Sequence, residues 1–375
     1  MKPIDSFSSN QEWYYYLMNK DEKILEFKIQ KGFDYSITEV NRLADVLPIG
    51  FTTISEWVNH RQAPKHREYI EMLLELCQIN NIKDFLSVTY ALSLNDCFWV
   101  KPKDSKLQWS EVSLYRNDFN DNIAHLAFNG EGLHGLDVTT TSPEFGTDGS
   151  FAKCWIKEDN GIFLLKRGSQ GFSNAGLEPY SEFYASQIAK EICESYVDYD
   201  LVKYHGDLAC SCKLFSNEEI GYVPIVNVIG RGNSVDEIID YFDSIGSGDK
   251  FRSMIVFDGV VMNMDRHLNN YGVLFNNETM DILEMAPVFD NNMSLLPYAV
   301  KEDFENFDEY LDTKGPKFGG DWVEIARFCL TPKTRKILNN LYGFKFTKHK
   351  MYNLSDERLE YLNKAVNDQI KKILE

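Results

Sequence analysis

The sequence has little that would point to a membrane, an oxidising compartment or a zinc site. No run of eighteen apolar residues occurs among its 375 residues, so no membrane span is predicted. The first ten residues are polar and lack the apolar core of a secretion signal. The seven cysteines are scattered, and their closest pair, Cys210 and Cys212, is at most half of a structural zinc site. The simplest interpretation is a reduced, cytoplasmic protein.

Positive charge is also scarce. Lys and Arg total 39 against 57 Asp and Glu, which gives a net charge of −18. This balance disfavours a nucleic-acid-binding protein, because neutralising phosphates along DNA or RNA needs a basic face. It also argues against a DNA-reading helix-turn-helix over residues 36–62. ATP binding stays open, since one nucleotide needs only a local group of cations, and an acidic surface suits a basic partner.

Apolar material, by contrast, is plentiful enough for a large core. Hydrophobic residues make up 43% of the chain and aromatic residues 14%, which is typical of a folded globular protein. We predict an α+β fold in three parts. These are a mixed α/β region at 1–135, a β-rich lobe at 136–233 and a helical lobe at 234–375. A stretch rich in Gly, Thr and Ser, residues 128–143, marks the first boundary.

Short elements are predicted in the N-terminal region. Residues 13–27 have the composition of a β-hairpin. Residues 36–46 are predicted to form a short helix, because Ser36 suits an N-cap and Glu39 follows three residues later. Residues 67–79 carry apolar side chains at helical spacing and are predicted to form a core-facing helix.

Paired strands are predicted in the second part of the chain. Residues 151–156 and 162–166 can form a hairpin across Asn160-Gly161, a favoured two-residue turn. Residues 201–205 and 208–215 form a second predicted pair. Beyond it, helical spacing recurs in residues 235–245, 251–262, 322–330, 332–341 and 355–374.

Polar residues suited to phosphoryl transfer flank the one hairpin predicted among those helices, over residues 271–285. Asp265 precedes the hairpin, and Asn270, five residues after Asp265, also precedes it. Asp290 comes after the second strand of the hairpin. In phosphoryl transfer an aspartate orients the attacking hydroxyl, while an asparagine and a second aspartate hold magnesium on ATP. Each residue alone is as often a cap or a solvated turn residue. Because the hairpin returns Asp290 towards Asp265, we predict that the set forms one site.

Upstream features come in the order found in kinases. Small residues at 146–150 would let the backbone approach phosphates, and Lys166 ends a following strand. Residues 178–194 are predicted to form an amphipathic helix whose Glu182 could pair with that lysine. Taken singly, a glycine turn, a strand-end lysine and a first-turn glutamate are usually structural. Their order before Asp265 favours a divided ATP site.

The segment 263–296 resembles the catalytic core of the HipA-like serine/threonine kinases, the toxin kinases of bacterial toxin–antitoxin systems, and the resemblance spans about residues 140–340. It implies a two-lobed protein-kinase-like fold that uses ATP and Mg²⁺. It also implies a protein substrate with Ser or Thr and an antitoxin partner. Asp265 would be the catalytic aspartate, with Asn270 and Asp290 as magnesium ligands.

The same resemblance assigns residues to the nucleotide. Those that would contact ATP are Gly149, Ser150, Lys153, Lys166, Cys212, Lys213, Phe215 and Asp290. Glu182 would orient the phosphate-binding lysine. Ser150, or alternatively Thr147, stands where the family has a regulatory autophosphorylated serine. The adenine-binding hinge would lie near residues 212–215, with 220–229 as a competing candidate.

Neighbouring polar residues are expected to be structural. From the strand pattern alone, Lys153 is expected to be an exposed lysine, which competes with its role as a phosphate contact. Arg266 is expected to form a structural salt bridge, and Asn263 and Asn291 to form supporting hydrogen bonds. His267 matches a histidine common in the HipA-like loop, which implies a hydrogen-bonding role.

Three other functions stay open. The form Asp-Arg-His-x-x-Asn is also similar to that of phosphoinositide kinases, so a lipid or small-molecule kinase is one alternative. The sequence lacks a basic membrane-anchoring helix, which counts against a lipid substrate. A catalytically silent binding module is the second alternative, against which the complete set Lys166, Asp265, Asn270 and Asp290 argues. A nucleotidyl transferase on the same scaffold is the third.

Overall fold

The N-terminal region is built on a four-stranded antiparallel sheet with the order β3-β2-β1-β4. The computed structural model describes residues 11–131, 142–171 and 174–375. The strands are β1 (Gln11–Asn19), β2 (Glu22–Lys31), β3 (Tyr35–Arg42) and β4 (Phe98–Pro102). The helices that accompany them are α1 (Ile54–His60), α2 (Ile70–Leu76), α3 (Ile82–Thr89), α4 (Trp109–Val112) and α5 (Asp121–Asn129). The predicted first hairpin is confirmed, and the predicted helix over residues 67–79 is shorter, as α2.

The helix predicted over residues 36–46 is wrong. Strand β3 occupies this segment and pairs with β2, so that Ile37 lies opposite Ile29. Its β-branched residues suit a pleated edge strand better than a helix, where they lose side-chain freedom. The apparent capping signal at Ser36 therefore has no helix to cap, and the helix-turn-helix over residues 36–62 is absent from this described segment.

A second four-stranded antiparallel sheet follows, with the order β5-β6-β8-β7. Its strands are β5 (Lys153–Glu158), β6 (Gly161–Arg167), β7 (Tyr199–Tyr204) and β8 (Asp207–Lys213). Helix α6 (Glu178–Ile192) connects the two hairpins and packs on this sheet. The two hairpins predicted in this part of the chain are confirmed, and each turn lies one residue earlier than predicted. Glu158 pairs with Gly161, so the glycine begins β6 instead of completing the turn.

The C-terminal part is helical around one three-stranded sheet with the order β11-β10-β9. Its strands are β9 (Ile220–Pro224), β10 (Gly272–Asn276) and β11 (Ile282–Met285). The helices are α7 (Val226–Ile229), α8 (Val235–Ser244), α9 (Gly248–Val261), α10 (Lys301–Glu305), α11 (Phe307–Asp312), α12 (Trp322–Phe328), α13 (Pro332–Leu341) and α14 (Asp356–Leu374). The five predicted helices and the predicted hairpin are all present. Helix α9 is buried along almost its whole length because α6, α8, α12 and α14 surround it.

The N-terminal region shares a core with the second sheet. One buried cluster joins Phe128 of α5 to Cys154, Leu165 and Ala209 of strands β5, β6 and β8. The boundaries of the three predicted parts stay a prediction, and residues 132–141 of the first boundary lie outside the described residues. The seven cysteines are free thiols. None of the helices in the described ranges has the length and apolar character needed to cross a bilayer.

Candidate active site

A cleft of about 360 Å³ lies between the second sheet and the loops flanking the β10–β11 hairpin, a size suited to a small ligand. Almost all of the predicted site residues line it. They are Thr147, Gly149, Ser150, Lys153, Lys166, Cys212, Lys213, Phe215, Asp265, Asn270 and Asp290. Glu182 lies behind the cleft wall and is fully buried. The structure therefore brings residues from three separate stretches of sequence into one place.

Lys166 is held between two carboxylates at the centre of this cleft. Its Nζ lies 2.7 Å from Glu182 Oε1 and 2.6 Å from Asp290 Oδ1. Burial alone would lower the pKa of this lysine, but Asp290 and Glu182 raise it well above its usual value. Burial likewise opposes ionisation of Asp290, yet Lys166 and Lys153 bring its pKa down to about 2. Both groups are therefore charged at neutral pH.

Glu182 is not the surface residue that its first-turn position also allowed. Its Oε1 accepts from Lys166 and its Oε2 accepts from the Asn291 N–H at 2.7 Å. Burial raises the pKa of Glu182. Through Glu182, helix α6 is thus hydrogen-bonded both to Lys166 on strand β6 and to the loop that follows β11.

The loop after β11 has a strained turn at Asp290. The backbone of this residue has φ 58°, in the left-handed region, which an aspartate tolerates better than most side chains. Its N–H donates to the Tyr199 hydroxyl at 3.1 Å. The carboxylate is therefore held at the cleft wall by both its backbone and its contact with Lys166.

The phosphate loop, defined as residues 147–152, also lines the cleft. Gly149 has φ +93°, a backbone conformation that strains other residues, and a Cβ there would lie 2.2 Å from Lys153 Nζ and displace it. Lys153 donates to the Asp148 carbonyl at 2.7 Å. The expectation of an exposed lysine is wrong, because Lys153 is only 7% exposed. Burial, reinforced by the charge of Lys166, lowers its pKa to about 8.

Asp265 and Asn270 lie on the loop before β10. The Asp265 N–H donates to Asn263 Oδ1 at 3.0 Å, and Asn270 Nδ2 donates to the Asp265 carbonyl at 2.9 Å. These bonds leave the Asp265 carboxylate, which is about one-third exposed, at the cleft surface. His267 Nε2 lies 3.8 Å and Lys317 Nζ 3.6 Å from that carboxylate. Lys317 is not among the site residues predicted from the sequence, because it lies in a loop distant in sequence from the other site residues.

Arg266 joins the two loops of the site. It donates two hydrogen bonds to Asp258 of α9, at 2.9 and 3.0 Å, and one to Asn291 Oδ1 at 2.7 Å. It also donates to the carbonyls of Asn270 and Phe289. The expected structural salt bridge is confirmed, and its partner Asp258 carried no sequence signal because it lies within an apolar helix.

Two side-chain oxygens in the cleft are available to a cation. Asn270 uses its amide nitrogen internally, and neither its Oδ1 nor Asp290 Oδ2 accepts a hydrogen bond from the described residues. No group of three His, Cys, Asp or Glu residues capable of holding a metal occurs within that part of the chain. Two oxygen ligands, completed by substrate phosphates, fit magnesium, which is seldom held by a cage made only of protein groups.

The other end of the cleft is aromatic. The rings of Phe215, Tyr222 and Phe289 contact one another with centroids 5.4–5.5 Å apart. The segment 214–219 passes beside them and connects β8 to β9. Within the described ranges, the N–H groups of Phe215 and Ser216 form no backbone hydrogen bond. This edge can therefore accept a flat, hydrogen-bonding ring.

The N-terminal region completes the aromatic end, which sequence reasoning missed. Leu94 and Asn95 line the cleft. The Leu94 carbonyl accepts from the Ser216 hydroxyl, and the Asn95 carbonyl accepts from the Tyr222 N–H at 2.7 Å. These bonds hold the connecting segment, through Ser216, and strand β9, through Tyr222, against the N-terminal region. They join residues so distant in sequence that no local pattern could have indicated them.

Comparisons with known proteins identify the fold. Neither a protein-family model nor a curated protein matches the chain. Among solved structures, it is similar to HipA in the Shewanella oneidensis MR-1 complex of HipA, HipB and operator DNA. That match has a TM-score of 0.53 and 11% identity and covers 96% of this chain and 97% of the other. The Helicobacter pylori proinflammatory kinase CtkA matches with a TM-score of 0.43 and 17% identity over 59% of this chain and 91% of its own.

The chain thus has a two-lobed, kinase-like fold. More specifically, the fold is that of HipA-like kinases, as the likeness to HipA over almost the whole of both chains shows. The predicted fold class is confirmed. The functional roles of the individual site residues stay predictions.

Proposed function

We propose that this protein is an ATP- and magnesium-dependent kinase that phosphorylates serine or threonine residues of a protein, in the manner of HipA-type toxin kinases. One observation carries the proposal. Lys166 bridges Glu182 and Asp290 at distances of 2.7 and 2.6 Å in the same cleft that holds Asp265 and Asn270. This combination supplies the positioning and charge neutralisation on which phosphoryl transfer depends.

Each residue would have a defined role. Lys166 would bind the phosphates, and Glu182 would hold that lysine in place. Asn270 and Asp290 would hold magnesium, which when bound offsets negative charge on the phosphates. Asp265 would orient the substrate hydroxyl and accept its proton as the hydroxyl oxygen bonds to the γ-phosphorus and ADP leaves.

The adenine ring would bind at the aromatic end of the cleft. Phe215 would contact the ring, while the N–H groups of Phe215 and Ser216, which form no backbone hydrogen bond with the described residues, offer donors to its edge. Cys212 and Lys213 line the same wall. These groups favour the hinge near residues 212–215. The competing candidate, residues 220–229, also reaches the cleft through Tyr222 and Pro224, but the Tyr222 N–H is already bonded to the Asn95 carbonyl.

Ser150 is a better candidate than Thr147 for autophosphorylation. The Thr147 hydroxyl accepts from the Trp155 indole at 2.9 Å and donates to the Pro143 carbonyl at 2.7 Å. Ser150 is exposed at the cleft mouth. An antitoxin partner is proposed because HipA occurs in a complex with HipB. The free thiols and the need for ATP favour a cytoplasmic location.

Intact-mass measurement after incubation with Mg-ATP tests the function. We expect a gain of one or more phosphates on this protein or on proteins of an added lysate, and no gain with Asp265→Asn. An added AMP unit would instead indicate nucleotidyl transfer. Absence of any mass change, of transfer to lysate proteins and of a thermal shift with ATP would exclude a catalytic role.

Gly149→Ala is expected to weaken Mg-ATP binding about tenfold, because the new Cβ would displace Lys153 and the left-handed backbone would be strained. Isothermal titration calorimetry measures the affinity. Gly206→Ala is the matched control, since Gly206 also has a positive φ of +91° but a Cβ there would meet nothing within 4 Å. Equal affinities for the two variants would contradict a role of the phosphate loop in binding.

A further inference from the structure

Arg67, in the N-terminal region, contacts both ends of the phosphate loop. Its Nη2 donates to Glu144 Oε2 at 2.6 Å and to the Lys153 carbonyl at 2.9 Å. Its Nη1 donates to the Glu144 carbonyl and, at 3.5 Å, to the Thr147 carbonyl. A single guanidinium thus connects Glu144 and Thr147, before and at the start of the loop, to Lys153, the first residue of β5.

This contact is buried and fully hydrogen-bonded at the Glu144 carboxylate. The side chains of Arg67 and Glu144 are both 0% exposed, and Glu144 Oε1 accepts from the Trp155 N–H at 2.7 Å. Burial raises the pKa of Glu144, which opposes its ionisation, while the adjacent guanidinium favours the charged form. The planar fork of arginine can hold several acceptors at once in one geometry. The ends of the loop are therefore fixed relative to the N-terminal region.

Glu68, the next residue, contacts the middle of the loop. Its N–H donates to the Ser150 carbonyl at 2.9 Å, and its Oε2 accepts from the Ala152 N–H at 3.2 Å. Its Oε1 accepts from Arg167 Nη2 at 3.1 Å, which ties it to strand β6. Residues 67–68 together bond to the loop along its outer side.

These bonds determine the direction of the remaining N–H groups. Across a trans peptide, the carbonyl of one residue and the N–H of the next point in opposite directions. Because the Thr147 and Ser150 carbonyls point to the N-terminal region, the N–H groups of Asp148 and Phe151 point away from it. Neither of these N–H groups forms a hydrogen bond within the described residues, and both residues line the cleft. Free amides turned into a cleft form an anion-binding site.

We propose that Arg67 and Glu68 are positioning residues for the nucleotide. They hold the phosphate loop so that the amides of Asp148 and Phe151, together with Lys153, face the phosphates. The N-terminal region is then an integral part of the nucleotide site. The identity of the ligand as a nucleotide rests on the proposed function, whereas the ordering of the loop does not.

Glu68→Ala tests the side-chain part of this proposal, because it removes the acceptor of the Ala152 N–H and keeps the backbone bond to the Ser150 carbonyl. It leaves no buried charge unpaired, since Arg167 keeps its 3.0 Å contact with Asp207. Hydrogen–deuterium exchange of residues 147–153 without nucleotide should speed up about tenfold, since each factor of ten corresponds to about 1.4 kcal/mol of lost protection. Affinity for Mg-ADP should fall about tenfold by calorimetry, while affinity for adenosine, which has no phosphates, should not change. Glu71→Ala, an exposed glutamate on α2, is the control and should match the wild type.

Arg67→Lys provides a second variant. It keeps a cation beside Glu144 but cannot reach the Glu144, Thr147 and Lys153 carbonyls together, so the same pattern is expected. Unchanged exchange and unchanged Mg-ADP affinity in both variants would overturn the proposal, as would an equal loss of adenosine affinity. If the wild type binds no nucleotide, the kinase proposal fails, and the exchange rates alone then decide whether Glu68 orders the loop.

Discussion

Replacing Asp290 with asparagine is expected to lower magnesium-dependent phosphoryl transfer by at least about a thousandfold, or ~4 kcal/mol in the barrier. The carboxylate has a pKa of about 2 and is ionised at neutral pH, so the substitution removes a full negative charge with little change in shape. In the proposed function that charge would hold magnesium, and in the structure it neutralises one side of Lys166. Initial rates measured across a magnesium titration give the effect directly.

Nucleotide binding should respond differently from catalysis. Without magnesium, the negative charge of Asp290 opposes the ATP phosphates, so Asp290→Asn should bind free ATP at least as tightly as the wild type. Asp281→Asn, at an exposed position in the β10–β11 hairpin, is the control and should alter neither rate nor affinity. A variant at Asp290 that kept both its rate and its magnesium dependence would show that this residue is not a metal ligand.

The local part of the site could be predicted from the sequence. Asp265, Asn270 and Asp290 flank one hairpin, and a hairpin has few possible geometries, so their convergence follows from short-range order. Lys166 and Glu182 were harder, because their contact depends on how α6 packs on the second sheet. No local pattern predicts this contact. The prediction follows only because the glycine turn, the lysine strand and the glutamate helix come in the order found in kinases.

The rest of the site depends on contacts between distant residues. Arg67 and Glu68 reach the phosphate loop, and Asn95 reaches the aromatic end, only because the N-terminal sheet shares a core with the second sheet. The same cause explains the unexpected burial of Lys153, whose carbonyl bonds to Arg67. Solvent exposure on a strand depends on what covers the sheet, and here the covering residues come from far along the chain.

Arg266→Ala is expected to lower the free energy of unfolding by about 3–5 kcal/mol, because it leaves Asp258 charged and buried without its partner. The Asp258 side chain is 6% exposed, and the arginine also holds the carbonyls of Asn270 and Phe289. Chemical denaturation measures the loss. Arg266→Lys should recover only part of it, since lysine keeps the charge but not the planar fork.

The salt bridge between Arg252 and Asp243 is the exposed comparison, which distinguishes the effect of burial from that of charge pairing. It has similar geometry, with a 2.6 Å contact, but Asp243 is 46% exposed, so Arg252→Ala should cost less than about 1 kcal/mol. Equal losses for Arg252→Ala and Arg266→Ala would contradict the view that burial makes Arg266 important. Since Arg266 connects the loop of Asp265 to the loop of Asp290, its removal should also lower activity under conditions where the protein stays folded. A loss of stability without any loss of activity would mean that the two loops keep their positions independently.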